Sequence, residues 1–125
     1  MSNKKMLVAD DEPNIVISLE YLLKREGYAV LIARDGQEAL DTIARDKPDL
    51  VLLDVMMPKK TGFEVCQEVR ANEALHGIKI LMLTAKGRDT DVAKGTALGA
   101  DAYMTKPFAT RDLVQKVAQM LGGAA

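Results

Sequence analysis

A single cysteine, Cys66, stands in the 125 residues, so no internal disulfide can form. It is expected as a small apolar or half-exposed helix residue. His76 is the only histidine. It lies beside Gly77 in an expected loop, where a solvated side chain fits better than a phosphodonor. Charge of one sign is also lacking, since 17 basic residues face 18 acidic ones for a net charge of -1. That balance argues against direct nucleic-acid binding, which shows as a basic surplus. No apolar run approaches membrane-spanning length. Met6 to Ala9 is too short for a signal sequence and is stopped by three acids. These shortages point to a cytoplasmic globular protein of one domain, residues 1–121, with 122–125 as a frayed tail or truncated linker.

What is present is alternation. Short runs that are apolar at every position occur at Met6 to Ala9, Tyr28 to Ala33, Leu50 to Leu53 and Ile80 to Leu83, with a weaker fifth at Ala102 to Met104. Such runs suit strands covered on both faces. Stretches of helical period lie between them. Pro13 suits a first helical turn, with Ile15, Val16, Leu19, Leu22 and Leu23 forming an apolar face and Gly27 a stop. Asp35 with Glu38, and Thr61 with Glu64, have capping-box spacing. A fourth helix is predicted from about Asp89 to Leu98, closed by Gly99, and a fifth is predicted to be capped by Thr110. Five strand–helix units imply an α/β fold, a parallel sheet with helices on both faces.

In such sheets ligands bind beyond the carboxyl ends of the strands. The first run ends in Asp10, Asp11 and Glu12, the third in Asp54, the fourth in Thr84, and the fifth leads into Lys106. The five-unit reading brings these to one rim. Crowded carboxylates repel, and a hard cation such as magnesium relieves the repulsion through oxygen ligands. A carboxylate can also act as a nucleophile and form an aspartyl phosphate, while a lysine and a hydroxyl bond phosphate oxygens. Taken singly, each residue has a plainer reading: acids at a helix N-terminus, a turn aspartate, a strand-end hydroxyl, a solvated lysine. The joint placement is what points to phosphoryl transfer.

Four segments carry a resemblance to the response-regulator receiver family: Val8 to Pro13; Leu52 to Pro58 with Gly62; Leu83-Thr84-Ala85; and Gly99 to Phe108. The resemblance runs from about Lys4 to Leu121. It implies a flavodoxin-like (βα)5 fold with strand order 2-1-3-4-5, a cis Lys106-Pro107 bond, and Asp54 as phosphoacceptor. It further implies Mg2+, with Mn2+ as a substitute, held by Asp10, Asp11, Asp54 and the backbone carbonyl of Met56. Lys106 and Thr84 would contact the phosphoryl group, and Tyr103 would turn inward with Thr84. Met56 and Lys86, two residues past Asp54 and Thr84, would tune the decay of the phosphorylated form. The implied partners are a sensor histidine kinase or a histidine phosphotransfer protein as donor and a downstream protein as target, without nucleic acid or membrane. A phosphorylation-dependent dimer is a further expectation.

Three alternatives compete with this reading. An aspartyl-phosphate phosphatase needs a second acid two residues after the nucleophile, where this chain has Met56. A receiver that works without phosphorylation would not need the full set Asp10, Asp11, Asp54, Thr84 and Lys106. A flavodoxin-like cofactor binder would meet Asp-Asp-Glu in its first loop, which repels an anion.

Overall fold

The computed structural model describes residues 4–85 and 89–122. Its strands are β1 (Lys5–Ala9), β2 (Ala29–Ala33), β3 (Leu50–Asp54), β4 (Lys79–Ala85) and β5 (Ala102–Lys106). Its helices are α1 (Pro13–Arg25), α2 (Gly36–Asp46), α3 (Gly62–Ala71), α4 (Asp89–Ala97) and α5 (Thr110–Met120), with a single 3-10 turn at Glu73–Leu75. The strands form one parallel sheet in the order β2-β1-β3-β4-β5. This is the flavodoxin-like order, and chain order reverses between β1 and β3.

Two apolar layers follow from strand alternation. Leu7, Ala9, Val51, Leu53, Ile80 and Met82 face one side, where α2 and α3 supply Ile43, Val65 and Val69. Met6, Val8, Leu50, Leu52, Leu81 and Leu83 face the other, against Val16, Leu19 and Leu23 of α1 and Leu113 and Val117 of α5. Burial on both faces explains why the central strands carry no polar alternation. Cys66 is fully buried in the first layer, and burial pushes its thiol pKa up, which disfavours the reactive thiolate. His76 is exposed at the end of the 3-10 turn.

The helix starts test the sequence signals one by one. Thr61 and Glu64 form a complete capping box at α3. Asp35 caps α2 by accepting from Glu38 N–H, but the Glu38 carboxylate turns back to Arg34 N–H rather than to the cap residue. Thr110 does not cap α5. It is the first helical residue, and Ala109 stands at the cap without a side-chain bond. Gly27 and Gly99 close α1 and α4 at φ +96° and +107°, a region most side chains avoid. Lys106-Pro107 is cis, as the resemblance implies. Among the described residues, no helix is long and apolar enough to cross a membrane.

Candidate phosphoacceptor site

The carboxyl ends of β1, β3 and β5 deliver the acidic residues and one lysine to a single cleft. Asp10 N–H donates to the Ala33 carbonyl at 3.1 Å, which extends the β1–β2 ladder by one residue and fixes Asp10 just past the strand. Asp10 is fully buried, and its Oδ1 accepts from Glu12 N–H at 2.9 Å. Asp54 ends β3 at 8% exposure. Carboxylate oxygens of Asp10, Asp11 and Asp54 lie within 4.8 Å of one another. A cleft of about 300 Å³ opens over them, lined by Asp11, Glu12, Asp54, Val55, Met56, Ala85, Asp91 and Lys106.

Lys106 is the counterweight. Its Nζ donates to Asp10 Oδ2 at 2.8 Å and to Glu12 Oε1 at 3.1 Å, and it stands 3.4 Å from Asp54 Oδ1. Burial alone would lower the Lys106 ammonium pKa. The hydrogen bond to Asp10 and the charges of Asp54 and Asp10 outweigh burial and hold it above its ordinary value. Asp54 is pushed up to about 6, first by burial and then by the Asp10 charge, with Lys106 opposing and Asp11 adding a little more. One ammonium therefore does not neutralise the cluster. Three convergent carboxylates with residual repulsion fit a hard, oxygen-seeking cation.

The predicted residues divide into two groups. Asp10, Asp11, Asp54, Lys106 and Met56 come together at the cleft. Thr84 and Tyr103 are not among the residues that line it. The Thr84 hydroxyl is buried and donates a long bond, 3.5 Å, to the Met104 carbonyl, near the limit of a real hydrogen bond. Tyr103 is 49% exposed on β5. Lys86 lies outside the described residues. Met56 is 62% exposed.

Two residues outside the set that the resemblance implies also line the cleft. Glu12 does not cap α1 with its side chain but bonds Lys106. Asp91, in the first turn of α4, is buried and lines the cleft. No strand-end signal marks it, because it lies within α4 rather than at the end of β4.

Comparison with known proteins decides the family. Residues 6–118 match the response regulator receiver domain model. The chain belongs to that family. It is therefore a receiver domain of the two-component type, a signalling switch. It is 50% identical over 119 residues to the alkaline phosphatase synthesis transcriptional regulatory protein PhoP of Bacillus subtilis, covering 95% of this chain and 49% of PhoP. The receiver domain thus spans about half the length of that curated relative. Among solved structures, the chemotaxis response regulator CheY4 of Vibrio cholerae superposes with a TM-score of 0.89 at 33% identity, covering 95% of this chain and 99% of CheY4. The receiver domain of the sensor histidine kinase PA1611 of Pseudomonas aeruginosa superposes with a TM-score of 0.89 at 27% identity, covering 97% and 99% of the two chains. That structure holds a magnesium ion coordinated in the active-site cleft.

Proposed function

We propose that this receiver domain takes a phosphoryl group from a phosphohistidine onto Asp54 and later releases it as phosphate. The observation that carries the proposal is Asp54 itself, a nearly buried carboxylate between two other acids with one lysine 3.4 Å away. A side-chain oxygen of Asp54 attacks phosphorus, the new O–P bond forms, and the P–N bond to the donor imidazole breaks. Asp10, Asp11 and Asp54, with the Met56 carbonyl, would hold Mg2+, or Mn2+ in its place. When bound, the cation supplies charge neutralisation for the phosphoryl oxygens.

The chain's own residues do the rest. Lys106, now shared among Asp10, Glu12 and Asp54, transfers a hydrogen bond to a phosphoryl oxygen. The Thr84 hydroxyl exchanges its long bond to Met104 for one to the same group, and Tyr103 moves inward from its exposed position. Those two movements alter the face made by α4, β5 and α5, a two-state element biased by local charge. Water then cleaves the acyl phosphate and returns the Asp54 carboxylate. Met56 at the cleft and Lys86, two residues past Thr84 in the sequence, set the pace of that step. Ala85, small and lining the cleft, leaves the group open to water.

A sensor histidine kinase or a histidine phosphotransfer protein is the donor in this reading, and another protein reads the altered face, directly or through a dimer. The net charge of -1 favours protein contact over nucleic acid for residues 1–121 themselves, with 122–125 as a tail, in the cytoplasm. Transcriptional output is a property of PhoP, of which this chain matches about half. The test is chemical mapping. Protein treated with magnesium and a small phosphodonor is reduced with borohydride, which converts an aspartyl phosphate to homoserine. Homoserine at position 54 alone supports the proposal, and homoserine elsewhere or nowhere refutes it.

A further inference from the structure

Glu12 occupies the cap position of α1 but caps nothing with its side chain. Its backbone is fixed on both sides. The N–H donates to Asp10 Oδ1 at 2.9 Å, and the carbonyl accepts from Val16 N–H at 3.1 Å. The side chains that close a helix start from this position are the short ones, Ser, Thr, Asp and Asn. The longer carboxylate of Glu12 instead accepts from Lys106 Nζ at 3.1 Å, across 94 residues of sequence. A favourable cap is forgone, and the side chain is committed to the lysine of the cleft.

An ammonium has three N–H donors. Three carboxylates surround that of Lys106, Asp10 at 2.8 Å, Glu12 at 3.1 Å and Asp54 at 3.4 Å. A phosphoryl oxygen carried by Asp54 competes for the same donors with a charge-assisted bond of its own. Following that oxygen draws the ammonium away from its other two partners, and these differ in what release costs. The Asp10 side chain is 0% exposed, and a buried carboxylate stripped of its cation is heavily penalised. The Glu12 side chain is 59% exposed and returns to water. Glu12 is therefore the partner that the ammonium gives up.

We propose that Glu12 is a positioning residue that holds the Lys106 ammonium back while Asp54 is unmodified, and that this bond is surrendered when Lys106 engages the phosphoryl group. That role rests on Asp54 as acceptor and names the contact of Lys106 that is exchanged. An exposed ion pair of this kind is worth about two- to fivefold in an equilibrium constant, so Glu12 trims the affinity for the phosphoryl group rather than gating it.

The experiment titrates beryllofluoride, a phosphoryl mimic, into the protein at saturating magnesium and follows amide shifts by NMR. Wild type saturates. Glu12→Ala, which removes the contact, binds about two- to fivefold more tightly. Glu12→Asp keeps the charge on a side chain one methylene shorter, which loses its grip on Lys106 and suits the helix cap, and it tightens binding as Glu12→Ala does. Glu12→Gln, near in shape to the wild-type residue, keeps a neutral acceptor for Lys106 and falls between, and it replaces the Ala variant should that fold poorly. Removal of Glu12 that leaves binding unchanged or weaker overturns the proposal. So does an Asp variant that matches wild type while the Ala variant tightens, because the charge would then act at a distance and not through Lys106. Both of those results leave the acceptor reading intact, whereas a wild-type protein that does not bind beryllofluoride overturns both.

Discussion

Gly62, the first residue of α3, rests against the backbone of Asp54 so closely that a Cβ there would be driven into the Asp54 carbonyl oxygen. Its N–H donates to the Val55 carbonyl at 2.8 Å, which ties the start of the helix to the end of β3. Asp54 is thus held from behind by a helix start that only glycine permits. Gly62→Ala should cost roughly 1–3 kcal/mol, because backbone must move to admit the methyl group. It should also slow phosphorylation, since the movement displaces Asp54. Urea unfolding midpoints and single-turnover phosphorylation rates check both effects. A variant unchanged in rate would show that the close contact is structural only.

Lys106 is the only cation in contact with fully buried Asp10 among the described residues. Removing it leaves that carboxylate beside Asp54 without compensation. Lys106→Ala should therefore lose about 2–4 kcal/mol in metal-free buffer near neutral pH. Magnesium should recover part of the loss, raising the melting temperature of the variant more than that of wild type. Calorimetry with and without the ion makes the comparison.

The Asp54 pKa of about 6 sets a pH dependence of opposite sign to that of a salt-bridged acid. The folded state binds the proton more tightly than the unfolded chain does. The stability tied to that proton is fully present below the unfolded pKa, about 4, and is lost as pH rises through about 6. Asp54→Asn removes the charge permanently. In metal-free buffer it should be more stable than wild type by on the order of 1–2 kcal/mol above about pH 7, after allowance for solvent screening, and should converge with it below about pH 4. Thermal melts across that range provide the readout. A variant less stable than wild type at neutral pH would reverse the sign.

At the opposite end of the sheet, Arg70 makes four bonds through one guanidinium and ties α3 to two connections. It donates to the carbonyls of Gly99, Ile78 and His76 and to Asp101 Oδ2, at 2.8, 2.7, 3.1 and 2.6 Å. Asp101 in turn accepts from Ile80 N–H at 2.8 Å, so the bridge reaches the start of β4. Arg70→Ala should destabilise by roughly 2–4 kcal/mol, and Arg70→Lys should restore little, because a lysine cannot span carbonyls and a carboxylate with a planar fork. Hydrogen exchange should quicken first at Leu98 to Ala100. Asp54 chemistry at low temperature should persist, since the bridge lies away from the cleft.

Much of this was legible in the residues. Unbroken apolar runs announced covered strands, and the acids that stop them announced the rim. The (βα)5 pattern followed from periodicity, while the order 2-1-3-4-5 came from the family resemblance and was met in the sheet. The misses have local causes. Thr110 looks like a cap, but it is already the first helical residue and Ala109 stands at the cap. Glu12 looked like a helix-start acid, but Lys106, 94 residues away in sequence, claims its carboxylate. Asp91 was hidden because tertiary folding, rather than a strand end, brings this residue of α4 to the cleft.

The central claim is that Asp54 carries the phosphoryl group. Intact mass spectrometry after incubation with magnesium and acetyl phosphate tests it most directly, with Asp54→Ala beside wild type. The account predicts a gain of one phosphoryl group that requires magnesium and is absent from the variant. An equal gain on Asp54→Ala, or no gain on wild type with magnesium bound, would contradict it.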